Sequence, residues 1–191
     1  MLETSDSLLP NAKSAVCAGV GPEAFEEMNR LLDTMGLTVP AHFACSPRKI
    51  QPATYISSGK VEQLRELIEK VGADAAVVDF ELSPNQLKNL EKALGKPVID
   101  RPGVIIEIFS RNARTRESKV QVSLARLQYL LPRLAHFWSH FERQRGGGTA
   151  ARGMGEKQLE VDRRLVKDRI SILRKRLKEI EKEREVQRHS R

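Results

Sequence analysis

From Val120 onward the apolar residues fall at Val120, Leu124, Leu127, Leu131 and Leu134, a 4-3-4-3 spacing that suits a helix lying along another helix. A second stretch carries Leu159, Val166, Ile170, Leu173, Leu177 and Ile180, again mostly on a 3.5-residue period. Between them runs the glycine-rich stretch Gly146 to Gly155. Two heptad-patterned rods around such an interruption predict an antiparallel coiled-coil hairpin, the first rod capped by Thr115. At about 20 residues per arm and ~1.5 Å rise per residue, the hairpin projects on the order of 30 Å.

The first hundred residues follow another pattern. Ala15-Val16-Cys17-Ala18-Gly19-Val20 reads as a buried strand. Pro22 opens a helix with Phe25, Met28, Leu31 and Leu32 on one face, and Gly36 stops it. Leu37-Thr38-Val39 is expected as a second strand, followed by a proline-punctuated connection from Pro40 to Pro52. Ser58 is expected to cap the next helix, which Gly72 ends, and Ala75 to Val78 is a third strand. Ser83-Pro84 opens a helix closed by Gly95, and Pro97-Val98-Ile99 is a last strand. Alternating strands and helices predict a small, mostly parallel α/β sheet domain. The expected organisation is a loose tail over 1–13, an α/β domain over 14–101, and a short apolar helix plus the hairpin over 102–191, with the tip near 146–155.

Charge divides the same way. Residues 1–100 hold 10 Lys and Arg against 14 Asp and Glu, whereas residues 101–191 hold 23 against 11. Solvated helices are rich in Lys and Arg, yet an excess of this size in one half points to a polyanionic partner. With aromatics at 5%, stacking on single strands is not the main mode. Two cysteines, Cys17 and Cys45, and the lack of a leader or an 18-residue apolar run predict a cytoplasmic protein with free thiols and no membrane span, and an intramolecular hairpin is expected to stay monomeric.

Several catalytic patterns fail on inspection. Gly148-Thr149-Ala150-Ala151-Arg152-Gly153 has the glycine spacing of a phosphate-binding loop, but Met154 stands where lysine is needed. Ser58-Gly59-Lys60 lacks the upstream glycine, although the start of that helix is a possible anion site. Gly19-Val20-Gly21-Pro22-Glu23-Ala24 resembles a dinucleotide turn without an acidic residue ending the next strand. His136 and His140 share a helical face, but with only Glu142 near them and Phe137, Trp138 and Phe141 crowding the stretch they read as packing, not a metal site. Asp79 and Glu81, beside Ser83-Pro84, read as a strand-to-helix turn. The chain as given is therefore not expected to be an enzyme. A nucleotide-binding regulatory domain using the Gly19 or Ser58 loops, and a coiled-coil interaction protein, stay open as alternatives.

The glycine-rich tip carries the densest chemistry. Arg143, Arg145, Arg152, Lys157, Arg163 and Arg164 surround Gly146-Gly147-Gly148 and the pair Gly153 and Gly155. Guanidinium forks grip phosphates, and glycines let the backbone approach without Cβ clashes. Trp138 and Phe141 add stacking surfaces for bases or ribose.

Over residues 55–191 the chain resembles HflX-type ribosome-associated GTPases. The resemblance rests on Tyr55-Ile56-Ser57-Ser58-Gly59-Lys60, on Glu81-Leu82-Ser83-Pro84-Asn85-Gln86 with Asn89-Leu90-Glu91, and on Val98-Ile99-Asp100-Arg101. It continues through Ile108-Phe109, Ala113-Arg114-Thr115, Lys119-Val120-Gln121-Val122, Arg152-Gly153, Gly155-Glu156 and Gln158-Leu159-Glu160-Val161-Asp162-Arg163-Arg164. The resemblance implies an N-terminal region that docks on the large ribosomal subunit and carries its tip to ribosomal RNA in a factor that dissociates stalled or idle ribosomes under stress. By it the RNA contacts fall on Arg143, Arg145, Gly146, Gly147, Arg152, Gly153, Gly155 and Arg163. GTP and magnesium are expected only in a GTPase domain beyond Arg191, and no cofactor in this chain. Three departures stand out: a tip one residue longer with no proline, Pro102 in place of a usual threonine, and Ser118 in place of a usual glycine.

Overall fold

The computed structural model describes residues 7–9, 11–45, 50–134 and 152–189, with the side chains of 152–158, 187 and 189 outside the description. The chain divides into two compact units, Met1–Arg111 and Asn112–Arg191.

Unit one is built on a four-stranded, all-parallel sheet in the order β2-β1-β3-β4. The strands are β1 (Ala15–Gly19), β2 (His42–Ala44), β3 (Ala75–Val78) and β4 (Val98–Asp100). Four helices accompany them: α1 (Pro22–Thr34), α2 (Ser58–Val71), α3 (Pro84–Leu94) and α4 (Arg101–Asn112). The two central strands are buried along their whole length, as a parallel sheet covered on both faces requires. Their side chains alternate between two cores. Val16, Ala18, Ala76 and Val78 meet Leu64 and Ile68 of α2 and Leu87 and Leu90 of α3. Ala15, Cys17, Ala75 and Val77 meet Met28 and Leu32 of α1 and Val104 of α4.

Local stop signals act as expected. Gly36, Gly72 and Gly95 have φ of 69°, 65° and 65°, where a Cβ would be strained. Ser83 and Gln86 form a reciprocal cap on α3.

Four expectations are corrected. The second strand is His42–Ala44, not Leu37-Thr38-Val39. Thr38 makes one bridge with Ser14 while Leu37 sinks into the core, and the regular ladder resumes after Pro40, which has no N–H to give. Ser58 is the first residue of α2 rather than its cap; Ser57 takes that position and makes no side-chain capping bond. Residues Ser7–Leu9 are not loose, because Glu107 accepts from the Leu8 amide at 2.9 Å and the Ser7 hydroxyl at 3.2 Å, and Leu9 is buried. The unit boundary falls ten residues later than 101/102, since Val104 and Ile108 of α4 complete the core around Ile99.

Unit two contains α5 (Arg116–Leu130), a 3-10 turn (Leu131–Arg133) and α6 (Arg152–His189). Thr115 and Ser118 cap α5 reciprocally, so the serine that departs from the usual glycine takes part in a capping box. Val120, Leu127 and Leu134 bury against Val166, Ile170, Leu173 and Ile180, with Leu124, Leu131, Leu159 and Leu177 at the margin. The expected seam residues therefore meet one another. Helix α6 starts at Arg152, so Gly153 and Gly155, expected in the tip loop, belong to its first turn.

Candidate nucleic-acid interface

The polar residues of unit one that carry the family-like strings are engaged in holding the fold. Gln86 Nε2 donates to the Gln51 carbonyl at 3.1 Å, and Asn89 Nδ2 donates to Ala53 at 2.9 Å, pinning the turn that leads into α2. Glu91 accepts from the Val98 amide at 3.0 Å. Asp100 is fully buried; it accepts from the Leu82 amide at 3.2 Å and from the Gly103 amide at 3.1 Å, which starts α4 directly from β4.

Beyond the C-terminal ends of β1, β3 and β4 lies a charged cluster. Arg101 Nη1 stands 2.6 Å from Asp79 Oδ1, and Arg101 also pairs with Glu27. These carboxylates, Asp79 first, push the guanidinium pKa above its ordinary value. Gly19 is tightly packed here: a Cβ on it would come within 3.2 Å of Phe25 and 3.3 Å of Asp79, so those side chains would have to shift. A Cβ on Gly21 would meet nothing, so of the two glycines only Gly19 answers a steric demand of the fold.

The Ser58-Gly59-Lys60 segment begins α2, with Lys60 Nζ 5.3 Å from the centre of the Phe43 ring in a cation–π contact. Asp79 and Glu81 are not a carboxylate pair in action: Asp79 is committed to Arg101. Among the described residues no group of His, Cys, Asp and Glu could hold a metal, and no helix is long and apolar enough to cross a membrane.

The arginine and glycine constellation is only partly within view. Arg143, Arg145, Gly146, Gly147 and Gly148 lie outside the described residues, as do His136, His140 and Glu142. The backbone of Arg152, Gly153, Gly155 and Lys157 is in α6, and their side chains lie outside the description. Arg163 and Arg164 are exposed on α6.

Charge is sharply graded along that helix. Residues 163–178 carry eight exposed cations against Asp168, whereas residues 179–185 carry four glutamates against Lys182 and Arg184. A groove of about 300 Å³ runs beside the seam, lined by Gln128, Leu131, Lys167, Ile170, Ser171 and Arg174. Lys167, Ser171 and Arg174 went unnoticed in the sequence. Their 4-then-3 spacing, parallel to the seam, was the available signal.

The relationships of the chain match this architecture. Residues 22–110 match the GTP-binding GTPase N-terminal family, and residues 112–191 match the GTP-binding GTPase middle region. GTPase HflX of Magnetococcus marinus is 45% identical over 196 residues, covering 100% of this chain and 45% of that protein. The chain belongs to the HflX family. GTPase HflX of Escherichia coli is 41% identical over 169 residues, 88% of this chain and 39% of its own length. The chain thus spans less than half the length of these HflX relatives. A crystal structure of SsGBP with GDP superposes with a TM-score of 0.67 at 25% identity, over 91% of this chain and 45% of that one. A GTP-binding protein of Sulfolobus solfataricus, also solved with GDP, shares the fold with a TM-score of 0.61. The two family matches meet at 110–112, where the structure also divides.

Proposed function

We propose that this chain is the ribosome-docking part of a GTPase, in which α5 and α6 form an antiparallel coiled-coil hairpin that presents residues 143–157 to ribosomal RNA of the large subunit. The observation that carries this reading is the run of eight exposed cations over residues 163–178 of α6, the part of the helix next to the tip. A surface of that sign attracts a polyanion by displacing its counterions. Membership of a GTPase family supports the choice of RNA partner through the resemblance already described, and GTP and magnesium then belong to a following domain of the whole protein. In this reading the protein works in the cytoplasm, as a monomer, in a factor that dissociates or rescues ribosomes under stress.

Co-sedimentation of the 191-residue chain with purified large subunits over a salt series tests the reading. Binding is expected to weaken steeply with salt, and replacing residues 143–157 by a Gly-Ser linker is expected to lower affinity at least about tenfold. Undiminished binding by the linker variant at moderate salt would remove the tip from the interface.

A further inference from the structure

The groove beside the α5–α6 seam has the composition of an anion site rather than of an ordinary helix flank. Its polar walls are Lys167 and Arg174, the hydroxyl of Ser171 and the amide of Gln128, and no carboxylate lines it among the described residues. Its floor is Leu131 and Ile170, apolar side chains that lower the local dielectric and strengthen any charge pairing above them. Lys167, Ser171 and Arg174 form one row at i, i+4 and i+7. Arg164 and Lys178 extend that row by three and four residues at its two ends, both exposed. The row is ~21 Å long at helical rise, and Glu181 and Glu185 stand at the next two positions, where the cationic surface stops.

We infer that this row and groove form a second RNA contact, separate from the tip, which grips the sugar-phosphate backbone of an RNA strand laid along the shaft. Each element matches that ligand. The guanidinium of Arg174 forks onto two phosphate oxygens, and Lys167 and Lys178 supply point charges on either side of it. Ser171 donates a hydroxyl hydrogen bond, and the Gln128 amide offers a donor and an acceptor to a phosphate or ribose hydroxyl. An acidic protein segment would need the charges but not this regular row with neutral donors between them. The inference deepens the proposed function and rests on it only for the choice of RNA as the polyanion.

The test is fluorescence anisotropy of a labelled 20-nucleotide mixed-sequence RNA titrated with the full 191-residue chain. Three variants are compared with it: K167Q/R174Q/K178Q, the charge-matched R169Q/R176Q/R188Q from outside the row on α6, and the 143–157 linker replacement. All six exchanged residues are exposed, and the far-ultraviolet spectrum checks that helix is retained. The groove variant is expected to bind at least about tenfold more weakly and to flatten the slope of log affinity against log salt by about 2, the loss of three phosphate contacts on a single strand. The charge-matched variant is expected to lose less than about threefold. Equal losses in both charge variants would overturn the groove as a site, leaving only diffuse attraction, and so would displacement of the RNA by polyglutamate at equal charge concentration. If the linker variant keeps its affinity while the groove variant loses it, the shaft contact stands and the tip assignment falls. The reverse result overturns the shaft contact and leaves the tip assignment intact.

Discussion

Arg101 reaches back from the first turn of α4 to Asp79 at the end of β3, 2.6 Å away, and ties the two together with Glu27 of α1. Asp79 is nearly buried at 7% side-chain exposure, whereas Glu27 is 57% exposed, so the two carboxylates should differ in worth. Asp79→Asn is expected to cost about 1–2 kcal/mol in urea unfolding, and Glu27→Gln less than about 0.5 kcal/mol, since water screens the outer pair. Equal losses would show that the arginine is held by something other than Asp79.

Adjacent residues of α6 offer a second contrast. Leu173 is 4% exposed in the seam and Ile172 is 54% exposed away from it. Leu173→Ala is expected to cost about 2–4 kcal/mol and Ile172→Ala to stay within about 0.5 kcal/mol, read from the helical signal in thermal or urea melts. Inverting that order would mean that the seam is misplaced by one residue.

The two thiols should be silent in the native protein. Burial raises Cys17 to about 12, assisted by the nearby Asp79 carboxylate and Cys45, and raises Cys45 to about 11 against the pull of Lys60. Both stay neutral at pH 8, and thiolate is the nucleophile, so labelling by iodoacetamide should track unfolding. The linkage has a definite sign. An unfolded thiol ionises near 9.0 while the folded one holds its proton, so this contribution to stability is intact below pH 9 and lost as pH climbs towards 11–12. Rapid labelling of the native chain at pH 8 would contradict the burial of both residues.

Asp74 contributes on the acid side. Its carboxylate accepts from the amides of Lys13 and Ser14 and from the Ser14 hydroxyl, which hold its pKa below the usual range. A depressed carboxylate stabilises the fold above its unfolded pKa of about 3.9 and loses that effect as pH falls through the lower folded value. Asp74→Asn should therefore flatten the stability profile below about pH 4, measured by melts at fixed ionic strength. An unchanged slope there would assign acid unfolding to other groups.

Much of the fold was legible because its signals are local. Ser83 with Gln86, the glycines at 36, 72 and 95, and the apolar runs at 15–19 and 75–78 each specify their own neighbourhood. Strand β2 was not legible, since of its three residues only Phe43 is buried and its identity comes from pairing with β1 across more than twenty residues of chain. The hold of Glu107 on Ser7 and Leu8 was hidden for the same reason, spanning about a hundred residues. For the site, reading hydrophobic period alone found the seam and passed over the polar row beside it. That row repeats at the same spacing, and the groove it shares with Gln128 of α5 sets it apart from the other cations.

The two outermost strands of the sheet, β2 and β4, are three residues long, with Pro40 two positions before one and Pro97 directly before the other. Each free border is thus too brief, and too poor in hydrogen-bond donors just upstream, to recruit a strand from a neighbouring molecule. At these two borders the sheet offers a neighbouring chain little to extend, which works against edge-to-edge aggregation.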